Sequence, residues 1–333
     1  MPATLSVCIP THGRRAEVLR VAMLSVLDQL EPELHDRVEI CVSDNASSDG
    51  TAEMVSELAE RSPVPVSYSR NAADIGLAGN MMRVVELAAG DFCWLLGSDD
   101  EMVDGGLRHV IGLIERFPDA SGYCVSWANF GADLHDRGEP DAAPYRPPPL
   151  TTRAYRGMHD VIDGVGLMWG YISTNVVHRE RWLAAAASVG DRAKDHPTWP
   201  QLRIMGEMAR RDPVWVYSPH VVVRNRTFSG WMYELGRVPR DHAKMHIDLV
   251  DGIDAVLAEL IGKGTPLHRE LMTRMYWMVA SGRVVTQIKR IQRGDWRREV
   301  ELARSVARAF WWLPDFWTGA GPRLLVPAAV ARR

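Results

Sequence analysis

Along the first 130 residues, short apolar runs rich in β-branched side chains alternate with stretches whose apolar positions recur every three or four residues. "LSVCI" (5–9), closed by Pro10, predicts a buried strand. Leu19, Ala22, Met23, Val26, Leu27 and Leu30 then form the stripe of an amphipathic helix. "VEICVS" (38–43) predicts a second strand, followed by the turn-forming "DNASSDG" and a short helix carrying Met54, Val55 and Leu58. "VPVSY" (64–68) predicts a third strand, and Leu77, Met81, Val84, Val85 and Ala88 a helix stopped by Gly90. "FCWLL" (92–96) reads as a fourth strand, Leu107, Val110, Ile111 and Ile114 as another helix, and "GYCVSW" (122–127) as a fifth strand. Strands that alternate with helices over short loops imply a parallel sheet covered on both faces, a Rossmann-like half.

Beyond it, "DRGEPDAAPYRPPPLTTR" (136–153) is rich in proline and charge without periodicity and predicts an exposed connection. "GYISTNVVHRERW" (170–182) predicts a strand over 171–177 entering a helix. A further helix starts near Pro200, and a strand covers 214–224. Residues 241–312 are helical by pattern, with Leu249, Ile253, Val256, Leu257 and Leu260 at core spacing. The expected organisation is a Rossmann-like half over residues 1–130, a second half over 131–240 and a helical region over 241–333.

The composition, 46% hydrophobic and 24% charged over 333 residues, suits a folded protein with a sizeable core. Cys8, Cys41, Cys93 and Cys124 each fall inside a predicted strand without C-x-x-C spacing, so they read as small buried residues in a reducing cytoplasm. The N-terminus lacks a basic segment before an apolar core, and no run of 18 apolar residues occurs, so neither export nor spanning is expected. Net charge is −3: residues 1–240 carry −8 and residues 241–333 carry +5. That contrast is too weak for nucleic-acid binding, but leaves an anionic ligand or a membrane surface near the tail open.

In an open parallel sheet, ligands bind beyond the carboxyl ends of the strands. Here those ends carry "PTHGR", "SDNASSDGT", "RNAADIG" and "GSDD", so four strands deliver polar groups to one edge. No G-x-G-T-x-L loop of a sugar nucleotidyltransferase and no G-x-G-x-x-G of a dehydrogenase follows the first strand. A non-catalytic nucleotide-sugar-binding module remains open.

"SVCIPTHGR", "VSDNASSDGT", "RNAADIGLAGNMMRVVELAAGDFCWLLGSDD" and "GYISTNVVHRERW" together resemble family 2 glycosyltransferases of the GT-A fold. The resemblance favours the short enzymes similar to abequosyl- and rhamnosyltransferases. Membrane-embedded polysaccharide synthases carry spanning helices and Q-x-x-R-W, which this sequence lacks. It implies an α/β fold with a mixed, mainly parallel sheet flanked by helices and a helical C-terminal region. It also implies a nucleotide diphosphate-sugar donor, a glycan, lipid-linked or small-molecule acceptor, inversion at the anomeric carbon, and Mg²⁺ or Mn²⁺.

By that resemblance Pro10, Thr11 and Arg14 wrap the base and ribose, and Asp44 accepts from a base N–H or ribose hydroxyl. Asn71, Gly76, Asn80, Ser98 and Asp99 complete the nucleotide side, with Gly97 and Ser98 leaving room for ribose and phosphates. Asp100 and Asp99 hold the cation, which suits hard carboxylate oxygens. The family's usual acid-any-acid triplet is incomplete, because either register loses its leading acid to Gly97 or Ser98. The plainer alternative makes Asp99 a helix cap, as Asp49 with Gly50 and Thr51 also suggests for the second helix. An inverting enzyme needs a base, for which Asp195, with His196 beside it, is the candidate and Asp191 the competitor. In "IKRIQRGDWRREVELARSVARAFWWLPDFW" (288–317), a basic face followed by Trp311, Trp312, Phe316 and Trp317 fits three uses: core packing, a dimer contact or an interfacial helix.

Overall fold

The computed structural model describes residues 4–13, 15–130, 151–194, 200–226, 250–279, 296–319 and 321–322. These fall in two compact units, residues 4–226 and residues 250–322.

In the first unit, β1 (Leu5–Thr11), β2 (Val38–Asp44), β3 (Val66–Arg70) and β4 (Phe92–Leu95) pair in parallel in the order β3-β2-β1-β4. The sheet continues beside β4 with β8 (Asn175–His178), antiparallel, then β6 (Gly122–Phe130) and β9 (Val214–Arg226). Two short strands without a pattern in the sequence, β5 (Glu101–Met102) and β7 (Arg153–Arg156), pair antiparallel with β9. Helices α1 (Ala16–Leu27), α2 (Thr51–Arg61), α3 (Gly76–Leu87) and α4 (Gly106–Arg116) follow the early strands, and Leu19, Met23, Val26, Met54, Val55, Leu107 and Val110 join one core. Helices α5 (Met158–Val165), α6 (Arg179–Val189) and α7 (Gln201–Arg211) complete the unit.

Pro10 lies inside β1, one residue beyond the predicted end. It is tolerated because the amides of Ser6, Cys8 and Pro10 face β4, and that ladder ends where Leu96 N–H donates to Cys8 O. The third strand is displaced from 64–68 to 66–70: pairing begins with Ile40 N–H donating to Pro65 O, and Pro65 has no N–H to extend it backward. The strand expected over 171–177 is confined to Asn175–His178. Ahead of it, the Thr174 hydroxyl and the Asn175 amide both donate to Tyr171 O, at 2.8 and 2.6 Å, coiling the chain into short 3₁₀ turns. All four cysteines are buried free thiols, and burial pushes that of Cys8 up.

Asp49 caps α1 rather than the helix that follows it. Its Oδ2 accepts from the amides of Arg15 (2.7 Å) and Ala16 (3.2 Å), while Oδ1 accepts from the Thr51 hydroxyl; Gly50, at φ 83°, precedes α2. Partial burial opposes ionisation of Asp49, but the bonds from Thr51, Ala16 and Arg15 together hold its carboxyl below the usual range. A depressed carboxyl stabilises the fold above its unfolded value near 3.8 and loses that contribution as pH falls through the folded value. Asp49→Ala is therefore expected to cost about 1–2 kcal/mol at neutral pH. Urea denaturation at pH 7 and pH 3 should show the penalty shrinking in acid; an equal penalty at both would remove the cap as its cause.

In the second unit α8 (Pro266–Val279), α9 (Trp296–Phe310) and α10 (Pro314–Thr318) gather Leu271, Met272, Met275, Tyr276, Phe310 and Phe316. Of the predicted stripe, Ile253, Val256 and Leu257 are buried, and Leu249 lies outside the described residues. Ala258–Gly262 widens into a π turn, so Ile261 is buried and Leu260 is half-buried. Trp311 and Trp317 are exposed, whereas Phe316 packs inward and Trp312 stacks on His268. No helix among the described residues is long and apolar enough to cross a membrane.

Candidate active site

The carboxyl ends of β1 to β4 lie along one edge of the sheet, and strand order reverses at β1, between β2 and β4. At that reversal Thr11 closes β1, its hydroxyl buried without a partner among the described residues; the Ser47 hydroxyl, after β2, is in the same state. Buried hydroxyls without partners are uncommon, and here two of them mark the edge where a polar ligand is expected. Arg14 lies outside the described residues.

Asp44, at the end of β2, is fully buried. Its Oδ1 accepts from the Ser47 amide (3.0 Å) and its Oδ2 from the Tyr68 hydroxyl (2.7 Å), which shapes the loop after β2. Ala46 in that loop holds a left-handed φ of 61°. Asn80, on α3, is also buried: its amide donates to Thr11 O (2.9 Å) and Ser43 O (3.0 Å), and its Oδ1 accepts from Ser43 Oγ and Asn71 Nδ2. Asn80 and Asn71 thereby tie together the ends of β1 and β2 and the loop after β3. Gly76 opens α3 at φ 73°, its amide donating to Asp74.

The loop "GSDDE" between β4 and β5 is held from three sides. Asp100 is 5% exposed and accepts a hydrogen bond from the Ser173 hydroxyl, which also receives the Gly97 amide at 2.9 Å. The Tyr171 hydroxyl lies beside the same carboxylate and donates to Asn225 Oδ1 at 3.1 Å. A Cβ at Gly97 would lie 2.8 Å from Asp100 Oδ2 and 3.0 Å from Ser173 Oγ, so the glycine makes room for these two groups. Arg226 donates to Asp99 O (3.0 Å) and, with Arg224, to Glu101 (3.1 Å each). From the other side, Arg15 Nη1 stands 3.3 Å from Ser98 Oγ and 3.6 Å from Asp99 Oδ2. Asp99 does not cap a helix; its side chain is 24% exposed and turned toward Arg15.

Burial, reinforced by the adjacent charge of Asp99, pushes the Asp100 carboxyl up to about 7, against the hydrogen bond from Ser173 and the Tyr171 hydroxyl beside it. A cation would relieve that cost. Mg²⁺ and Mn²⁺ in phosphate-transfer sites characteristically take one or two carboxylates and complete their shell from phosphate and water. No group of three or more His, Cys, Asp or Glu side chains among the described residues is arranged to hold a metal. The Asp99–Asp100 pair fits the share of one or two carboxylates that such a cation takes from a protein.

Arg15, Ser173 and Tyr171 were not anticipated as site residues. The motif "GYISTN" signals the latter two once its serine and tyrosine are placed in 3₁₀ turns instead of a strand. Asp195 and His196 lie outside the described residues, and Asp191 is exposed in the turn Gly190–Lys194. Arg181 donates to Asp119 O and Ser121 Oγ, and Trp182 is fully buried, so both hold the junction of β8 and α6.

A sheet of this topology with paired carboxylates at the reversal point defines a class, and the comparisons with known proteins agree. The model of Glycosyl transferase family 2 matches residues 6–175, and the chain belongs to that family. It is 32% identical over 189 residues to abequosyltransferase RfbV of Salmonella typhimurium (strain LT2), a match covering 54% of each protein, so the chain spans about half the length of this relative. Among solved structures, S. aureus TarS 1–349 in complex with UDP superposes with a TM-score of 0.61 at 13% identity, covering 92% of this chain and 80% of that one. Mannosyltransferase PcManGT from Pyrobaculum calidifontis, in complex with GDP-Man and Mn²⁺, superposes with a TM-score of 0.53 at 15% identity, covering 99% and 88%. At these identities the two structures show the GT-A fold alone.

Proposed function

We propose that the protein is an inverting glycosyltransferase that moves a sugar from a nucleotide diphosphate-sugar to an acceptor hydroxyl with Mg²⁺ or Mn²⁺. The observation that carries this reading is the pair Asp99–Asp100 beside the β1 reversal point, one carboxylate buried and one half-buried against Arg15. Asp99 and Asp100 would hold the cation, which when bound supplies Lewis-acid stabilisation of the departing diphosphate. The chain's own residues do the rest. Ser173 fixes the Asp100 carboxylate beside Tyr171, Arg226 and Glu101 hold the loop, and Asp44, Asn71 and Asn80 shape the pocket for base and ribose, with Thr11 offering its hydroxyl. Asp195, with His196, would take the proton from the acceptor as it attacks the anomeric carbon.

The relative RfbV is named as an abequosyltransferase, which supports a hexosyl donor and a glycan, lipid-linked or small-molecule acceptor here. A cytoplasmic location follows from the same reading, and the exposed Trp311 and Trp317 would suit peripheral contact with the inner membrane face or a second copy of the chain.

Incubating the protein with UDP-, GDP-, dTDP- and CDP-sugars and Mn²⁺ should release one nucleoside diphosphate, faster when acceptor is added. No release from any donor would reject the reading. Asp195→Asn is expected to keep donor binding while transfer falls about 10²–10⁴-fold, and near-normal transfer would remove Asp195 as the base.

A further inference from the structure

Among the described residues on the β1 side, Arg15 is a cation beside the candidate metal carboxylates, and nothing in the family reading assigns it a part. Its backbone is fixed by Asp49 through the amide of Arg15 itself, so the guanidinium is presented from a rigid helix start. The guanidinium reaches across to the β4 loop, touching Ser98 and facing Asp99. Around that loop two carboxylates, Asp99 and Glu101, meet three guanidiniums, Arg15, Arg224 and Arg226, and Asp100 accepts from the main-chain N–H of Arg226 at 3.4 Å. Arg224 and Arg226 are both spent on Glu101, and Arg226 is buried. Arg15 alone of the three pairs with a carboxylate that would also ligate the cation.

We infer that Arg15 is a donor-binding residue that exchanges partners: it neutralises Asp99 before ligands arrive, and grips the donor diphosphate once a cation takes Asp99. The inference rests on the donor reading above. The physical reason is charge. A divalent cation approaching Asp99 alone meets the positive guanidinium within 4 Å of the same oxygen. A diphosphate arriving with the cation offers that guanidinium a bidentate acceptor, which suits arginine better than a single carboxylate oxygen. Cation and diphosphate therefore assist each other through Arg15, and the coupling is reciprocal. The consequence is a site that neither ligand fills well alone.

The test uses the full chain and its Arg15→Ala variant, which keeps the backbone amide that Asp49 caps; melting curves confirm that both fold. Free Mn²⁺ is followed by its electron paramagnetic resonance during titration without nucleotide. The variant should bind Mn²⁺ about fivefold tighter, the scale of one screened ion pair removed. With Mn²⁺ present, the nucleoside diphosphate that wild type binds among UDP, GDP, CDP and dTDP should bind the variant at least about tenfold more weakly, the scale of a lost charge-assisted contact. Arg15→Lys, a point charge without the fork, should fall between the two. Mn²⁺ binding that is equal in wild type and Arg15→Ala, absent from both, or weaker in the variant would overturn the exchange. So would unaltered diphosphate affinity. If wild type binds none of the four diphosphates, the donor reading fails, and the Mn²⁺ titration still decides whether Arg15 competes for Asp99.

Discussion

Replacing Asp100 by asparagine is expected to abolish Mn²⁺ binding and to lower sugar transfer about 10³-fold, the loss typical when electrostatic support of a leaving group is removed. The same variant should be more stable than wild type at neutral pH. Asp100 is buried beside the charge of Asp99, and both burial and repulsion disfavour its ionised form in the folded protein. Asparagine keeps an oxygen to accept from Ser173 while removing that charge, and gives up the long 3.4 Å bond from the Arg226 main-chain N–H. A melting curve and a Mn²⁺ titration on the same sample read the two effects. A variant that is less stable and still binds Mn²⁺ would mean that Asp100 is a structural group and no ligand.

Gly97→Ala carries the second large effect. Its new methyl would press on both Asp100 and Ser173, 2.8 and 3.0 Å away, and both are buried and packed. The Ser173 hydroxyl, caught between the Gly97 amide and Asp100, has to leave one of them. Overpacking of this kind costs about 1–3 kcal/mol, and the displaced carboxylate should bind Mn²⁺ at least about tenfold more weakly. Chemical denaturation and the Mn²⁺ titration check both numbers. Wild-type behaviour in each would show that the loop has room to spare and that the glycine is there for another reason.

Much of the fold was legible in the sequence because its first half obeys two clean periods. The strands around Val7, Ile40 and Trp94 are buried on both faces and read as continuous apolar runs, and α1 to α4 each carry a three-four stripe. What failed did so for local reasons. β5 and β7 are too short to show any period, and their existence depends on β9, more than fifty residues away in sequence. The turns before β8 come from side chain-to-backbone bonds of Thr174 and Asn175, which outweigh the β-branched pattern of "YISTNVV".

The site was half legible. Asp99 and Asp100 stand out because an apolar strand delivers them to the sheet edge. Asp49 misled, since an aspartate before Gly-Thr looks like a cap for the next helix, whereas it reaches back to the amides of Arg15 and Ala16. Arg15 was overlooked because nothing in the sequence shows that its guanidinium reaches the loop after β4, more than eighty residues away, and Arg14 lies outside the described residues. The purpose of Gly97 was likewise hidden, because its close neighbour Ser173 lies 76 residues along the chain.

The most direct test of the account is calorimetric titration of the wild-type protein with UDP, GDP, CDP and dTDP, each in the presence of Mn²⁺ and again in excess chelator. The account predicts that one diphosphate binds, that chelator weakens it by at least about tenfold, and that Asp100→Asn removes the difference between the two conditions. Binding that is equally strong with and without Mn²⁺, or no binding by any of the four, would contradict a carboxylate pair that grips a diphosphate through a cation.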